Sequence, residues 1–280
     1  AQSVLKMQDV AITNTSPRQS DMIDGRGLNV QNGARVELAR GLIHRNHTLG
    51  LFASRENTRV ELEDVAITYT QARPGDLVVG WGLDVQDGAT VEMVRAHLAH
   101  NHAVGIIAFD QGTSLKTEDL IVANTQPQSS DLALGRGIDV NTGAMVEILR
   151  GAITDNHEVG VIVGGQGTVL KMEDVAITNT QPRLSDQTLG RGLDVNTGAH
   201  VCLLRGLIDR NHQVGLGAFD GGSLLELEDV SVTNTQPQRA DMRFGRGIGV
   251  QTNARLTYVR GLLESNHEAA IYVLGTRAEA

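Results

Sequence analysis

Val60-Glu61-Leu62, Val65-Ala66-Ile67 and Gly82-Leu83-Asp84-Val85 set apolar residues at alternate positions, and Val91-Glu92-Met93, Ala96-His97-Leu98 and Gly105-Ile106-Ile107-Ala108 do so again. A period of two belongs to strands, not helices. Three short strands and three turns in roughly 24 residues describe one coil of a parallel β-helix, whose coils stack at about 4.8 Å. A leucine-rich repeat would need a longer asymmetric segment after a single strand, and no stretch of helical period is present to supply it.

The same pattern runs outward in both directions. Asp-Val/Leu recurs at Asp9, Asp64, Asp119, Asp174 and Asp229, and Asn-His at Asn46, Asn101, Asn156, Asn211 and Asn266. Gly-Arg-Gly begins at Gly25, Gly135, Gly190 and Gly245, with Gly80-Trp81-Gly82 as its variant, and every interval is 55 residues. Such self-similarity decides the architecture. The expectation is one all-β domain over residues 1–280, with repeats at approximately 3–57, 58–112, 113–167, 168–222 and 223–280. Each repeat holds two coils, so about ten coils make a rod of roughly 50 Å. The first half of each repeat inserts about eight residues between its second and third strands, as in Gln126-Pro127-Gln128-Ser129-Ser130-Asp131 running on to Gly135. Five loops should therefore project from one edge, roughly 10 Å apart.

Composition narrows the partners. The formal charge is −9 with both signs spread along the chain, which argues against nucleic acid and anionic membrane surfaces. No apolar run reaches the roughly 18 residues of a membrane span. Cys202 is the single cysteine, so neither an intrachain disulfide nor a cysteine-rich zinc site is expected. Residue 1 already lies inside a repeat and Leu274 to Ala280 abandons the pattern, which suggests flanking domains or end-to-end assembly with other copies.

The apolar strand, Asn turn and Gly-Ile/Leu-x-Val strand resemble the right-handed parallel β-helix repeats of the pectin-lyase-like superfamily. The phrase Asp-Val-Ala-Ile-Thr-Asn-Thr-Gln-Pro, followed by Ser-Asp, Gly-Arg-Gly-Leu-Asp-Val and Gly-Ala-x-Val-Glu, is similar to tandem repeats in large secreted or surface proteins of myxobacteria. The resemblance implies a right-handed β-helix and an extracellular or cell-surface location. Lyases of that superfamily use a calcium-binding aspartate cluster with a nearby basic residue, and no such cluster matches residue by residue here.

Stacking the halves turns equivalent positions into columns. One column reads Asp9, Arg40, Asp64, Arg95, Asp119, Arg150, Asp174, Arg205, Asp229, Arg260. Its alternating charges suggest an ion-pair ladder, each charge with opposite neighbours above and below, because networks outweigh isolated surface pairs. The first strand's outward column contains Glu37, Glu61 and Glu92 in succession, a possible calcium site through oxygen ligands. Alternating Thr and Asn at the next turn should bond local backbone. The histidines following those Asn residues should sit on an exposed corner, two coils apart.

Two functions compete. A non-catalytic structural or adhesive rod, part of a larger protein or filament, fits the near-perfect repetition. No departure from the repeat forms a nucleophile–base pair or a facing acid–base pair. The alternative is a carbohydrate-binding or carbohydrate-active β-helix, lyase- or hydrolase-like, using the five-loop edge to hold polysaccharide. Its candidates are Asp21 with Arg26, Asp76, Asp131 with Arg136, Asp186 with Arg191, and Asp241 with Arg246. The Arg residues lie five positions after the Asp residues, close enough to tie each loop to itself or to grip acidic sugars. Tyr69 and Trp81 flank the second loop as a stacking platform. No catalytic residue and no cofactor beyond calcium is expected.

Overall fold

The computed structural model describes residues 3–275, and among these every regular element is a β-strand. An eleven-stranded sheet and a ten-stranded sheet run the length of the molecule. Ten-residue strands such as Arg59–Thr68 belong to the first, and six-residue strands such as Trp81–Gln86 to the second. The chain alternates between sheets, and each strand pairs in parallel with its equivalents one coil back and one coil on. That winding is a parallel β-helix.

The three strands expected per coil resolve into two. In Arg59–Thr68, Val60 and Leu62 point inward, then Val65 and Ile67, so Glu63 and Asp64 are two successive outward residues. The slip is made by Asp64 in the left-handed region (φ 54°), and the ladder skips it, pairing Glu63 with Val94 and Val65 with Ala96. Arg95, one coil on, does the same at φ 54°. One left-handed residue thus bends a continuous ladder, where two separate strands would have needed a turn.

Inward positions of both sheets form one apolar core, in which Ile43, Leu51, Leu83, Leu98 and Ile106 are fully buried. Burying each such side chain stabilises by about 1.5–3 kcal/mol. In the first and last described coils the same positions open to solvent: Leu5 is 46% and Ile271 44% exposed. Residues 276–280, on which part of the terminal departure from the repeat falls, lie outside the described residues.

The Asn column is not a surface turn device. Asn101 is 1% exposed; its Oδ1 accepts from Thr70 N (3.0 Å) and its Nδ2 donates to Ile67 O (2.9 Å), both in the previous coil. Asn46, Asn156, Asn211 and Asn266 make the equivalent pair of bonds. Each Asn therefore satisfies a corner's backbone inside the rod, where water cannot. Of the following histidines only His267, in the last repeat, is exposed; the other four are partly or fully buried. His212 is 7% exposed, and the Nδ1 atoms of His102, His157 and His212 lie 2.9–3.1 Å from Thr carbonyls, which fixes the proton on Nδ1. Burial holds His157 and His212 below the usual imidazole range, against the opposing effect of those carbonyls.

This packing explains Gly-x-Gly. Gly135 has φ +90° and a Cβ there would stand 2.7 Å from His157 Cβ, while one on Gly137 would meet Asn156 Nδ2 at 2.9 Å.

Candidate functional site

The five loops do not stand apart at two-coil intervals. Ser130 N donates to Leu77 O (3.2 Å), Ser185 N to Leu132 O (3.1 Å) and Ala240 N to Gln187 O (3.0 Å), so the second to fifth loops are bonded in series. Within every loop the aspartate builds a turn. Oδ1 of Asp21, Asp76, Asp131, Asp186 and Asp241 accepts the backbone N–H two residues on. Its side-chain partner is not the arginine five residues later. Arg18, Arg73 and Arg183, three residues earlier, grip Asp21, Asp76 and Asp186 with two bonds each. Those guanidiniums hold all three carboxyls below the usual carboxylate range. Gln238 takes the equivalent place beside Asp241, at 2.8 Å. The proposed Asp21–Arg26 type of closure is thereby corrected: the loop's own first turn is the shorter path.

The arginines of Gly-Arg-Gly face the outer side of the six-residue strands instead. Arg136 bonds Asp139 (2.9 Å) and Glu158 (2.7 Å), both nearly fully buried beneath the loops. Arg191 bonds Asp194 (2.7 Å) and Gln213 (2.5 Å), and Arg246 bonds Glu268 while lying 3.5 Å over the Tyr272 ring. Arg26 lies 4.1 Å over Phe52 and reaches Asp24 only at 3.7 Å. In the second repeat Trp81 replaces the arginine and Ala103 the Glu158 equivalent, yet Asp84 remains, 3% exposed and with Oδ1 unpartnered. Burial pushes its carboxyl up to about 7, against the opposing charge of Arg26. The Trp81 indole Nε1 is also buried without a partner, and Tyr69 stacks on His100 (4.6 Å) and edges His44 (5.4 Å). One face of Tyr69 is thus taken by His100, while the residue stays 40% exposed.

On the other sheet the Asp/Arg column makes its hydrogen bonds as five clamps, and the ladder continues between them as longer-range attraction of Asp64, Asp119, Asp174 and Asp229 to the arginine of the coil before. Each arginine reaches back 31 residues with two bonds: Arg40 to Asp9, Arg95 to Asp64, Arg150 to Asp119, Arg205 to Asp174 and Arg260 to Asp229. From the second repeat on, the preceding glutamate (Glu63, Glu118, Glu173, Glu228) joins on the same side. With both acids in one coil, the arginine has no bonding partner in the next. The run Glu37, Glu61, Glu92 is likewise not an uncompensated acidic cluster. Arg35 bonds Glu37 (3.1 Å) and Glu61 (3.0 Å), Arg59 bonds Glu61 (2.6 Å) and Glu92 (3.1 Å), and Lys6 caps Glu37 at 2.8 Å. Arg35 and Arg59 lie two residues earlier on the same strands, where reading one column at a time misses them, while Lys6 stands in the column itself.

The open concave surface lies on this sheet. A groove of about 900 Å³ runs from Glu92 to Val259 across successive coils. One side carries Lys116, Glu147, Lys171, Cys202 and Glu226; the other alternates Glu118, Glu173 and Glu228 with Val94, Leu149, Leu204 and Val259. Glu118, Glu173 and Glu228 are held by Arg150, Arg205 and Arg260, and Glu147 lies between Lys116 and Lys171, so the walls are largely charge-compensated and suit neutral groups. The apolar residues recur every second coil, about 9.6 Å apart, because they belong to the short-half coils. The alternate Val and Leu between glutamates were legible in the repeat; that they share a concave face was not.

No family model matches the sequence, and no curated protein does. The resemblances to pectin-lyase-like and myxobacterial repeats therefore stand on the quoted residues alone. Among solved structures, a TibC-catalysed hyper-glycosylated fragment of TibA aligns over 99% of this chain and 98% of its own, at 11% identity and a TM-score of 0.20. At that overlap the likeness adds nothing to the assignment, which rests on this chain's own strand pairing.

Proposed function

We propose that this chain is a non-catalytic structural or adhesive rod of an extracellular or cell-surface protein. The observation that supports it is the use the repeat makes of its polar groups. The Asn bonds, Arg–Asp clamps and loop aspartates are all directed at the rod's own backbone or adjacent coils, copy after copy. A catalytic centre instead needs charged groups left free to face a substrate. No helix is long and apolar enough to cross a membrane. The test is a panel of neutral and acidic polysaccharides, scored for new reducing ends and unsaturated products, with calcium and with chelator. No turnover on any polymer is the expected result, and turnover that scales with purified protein overturns the reading.

A second reading, polysaccharide binding without cleavage, is favoured by the groove and its apolar residues at two-coil intervals. It moves the contact surface from the loops, whose aspartates are committed, to the outer face of the long strands. Saturable binding to a neutral polymer, lost in Leu149→Glu but retained in Trp81→Ala, is its expected signature. Binding lost in Trp81→Ala alone would return the site to the loop edge.

A further inference from the structure

The repeat is broken twice beside Glu226, by His200 and by Cys202, where Cys202 and Glu226 line the groove. His200 stands where other repeats have Arg35, Thr90, Met145 and Arg255. Cys202 stands where they have Glu37, Glu92, Glu147 and Thr257, and Glu226 occupies the column that holds Lys6, Glu61, Lys116 and Lys171. All three side chains leave the same outer face. Cys202 and Glu226 are direct neighbours on adjacent parallel strands, and His200 lies two residues before Cys202. Their tips converge: His200 Nε2 to Glu226 Oε2 is 2.8 Å, Cys202 Sγ to His200 Nε2 is 3.2 Å and Cys202 Sγ to Glu226 Oε2 is 3.1 Å. Among the described residues this is the one set of three metal-ligating side chains whose ligand atoms lie within 4.8 Å of each other.

A cysteine–histidine–acid trio invites a reading as a hydrolytic triad, and the geometry argues against it. A relay needs the acid on one imidazole nitrogen and the nucleophile on the other. Here thiol and carboxylate both crowd Nε2. The thiol is also pushed up to about 11, by burial first and by Glu226 second, so it is not a poised nucleophile.

We propose that His200 Nε2, Cys202 Sγ and Glu226 Oε2 form a mononuclear site for a borderline-soft divalent cation of the zinc class, with its fourth position open to the groove. Mixed nitrogen, thiolate and carboxylate donors suit Zn²⁺ or Co²⁺ and disfavour calcium and magnesium. Around such an ion, donors at about 2.0–2.3 Å sit roughly 3.5 Å apart, so small side-chain rotations convert the present contacts into a ligand set. The ion replaces the thiol proton, which leaves to solvent, and thiolate plus carboxylate then neutralise its two charges. Lys171, beside Cys202 in the preceding coil, is the one cation facing the thiol. Three protein ligands and an open fourth position would let the groove hold an exchangeable ligand on the metal.

Titration of the chelator-treated full chain with Zn²⁺ alone, by calorimetry in two buffers of different ionisation enthalpy, tests this. One ion per chain with net proton release is expected, and Co²⁺ should give a thiolate charge-transfer band and the intense visible absorption of a tetrahedral site. Cys202→Ser should abolish the charge-transfer band and weaken Zn²⁺ binding at least tenfold. Glu226→Lys restores the residue found at Lys116 and Lys171, so it removes the site within a pattern the rod already accommodates; it should weaken binding similarly with an unchanged melting temperature. Absence of saturable Zn²⁺ binding overturns the proposal. So does binding that survives both variants but is lost in His97→Gln or His100→Gln, which would place an adventitious ion in the second repeat.

Discussion

The second and third repeats place the same aspartate on the same strand and treat it in opposite ways. Asp139 lies buried between Arg136 and Asn141, and Arg136 also holds Glu158. Asp84, 55 residues earlier, keeps the burial and loses the company: Trp81 stands for the arginine and Ala103 for the glutamate. Burial raises both carboxyls, opposed chiefly by Arg136 at Asp139, and by the more distant Arg26 at Asp84, which reaches about 7. The comparison teaches that the arginine of Gly-Arg-Gly belongs to the sheet beneath it. It compensates buried acids of its own coil and the next; it does not close the loop.

The largest effect should come from breaking the complete set. Arg136→Ala leaves buried Asp139 without its cation and Glu158 with only Arg183, at 3.8 Å, a change that costs about 3–5 kcal/mol in comparable buried pairs. A urea midpoint unchanged by the substitution would mean that the two acids take up protons or water at little expense. The set would then not be what fixes this face.

Next in size is Asp84→Asn, and its sign depends on pH. An acid whose folded pKa is raised contributes stability that is fully present below its ordinary value of 3.8 and lost as pH climbs to about 7. A neutral amide has no such loss. The variant should match the parent near pH 4 and exceed it near pH 8 by about 2–4 kcal/mol, the scale of a three-unit shift. Equal stability at both pH values would show that Asp84 ionises without penalty. Trp81→Arg approaches the same point from the other side. Restoring the cation should draw the Asp84 carboxyl down and flatten the parent's pH dependence, gaining about 1–2 kcal/mol near pH 8. A variant as pH-sensitive as the parent would separate Asp84 from the arginine position.

How much of this was legible before the structure depends on the distance over which each feature acts. Alternation at Val60, Leu62, Val65 and Ile67 fixed the strands, and the 55-residue interval fixed their stacking, because both are one-dimensional signals. The corner at Asp64 is a one-residue slip in that alternation, which along the chain looks the same as a gap between strands. The arginine five residues on is the loop aspartate's neighbour along the chain only; the partner of Arg136, Asp139, lies three residues on along the same strand, and coil closure alone brings Glu158, 22 residues on, beside it. His200 and Cys202 had a signal, since each is unique in its own column, whereas Glu226 repeats Glu61. Their convergence needs two columns and two coils read together, which a lone cysteine in the sequence does not show.

The smallest expected effect belongs to the clamps, which differ from the Arg136 set in being exposed. Arg150 holds Asp119 by two bonds, at 2.7 and 3.1 Å, and keeps its carboxyl below the usual range, so the contribution is present above pH 3.8 and lost as pH falls through the folded pKa. Water and salt screen such a pair, and Glu118 on the same guanidinium takes over part of its role when the aspartate is removed. Asp119→Ala should therefore lower the melting temperature slightly at neutral pH and low salt, leave the strand register intact by far-UV circular dichroism, and converge with the parent in concentrated salt. Since Asp119 also occupies the left-handed corner (φ 56°), which alanine tolerates less well than aspartate, Asp119→Asn is the sharper variant: it keeps the backbone preference and removes only the charge. A melting temperature identical to the parent's in Asp119→Asn at low salt would show that the corner, and not the ion pair, holds these coils together.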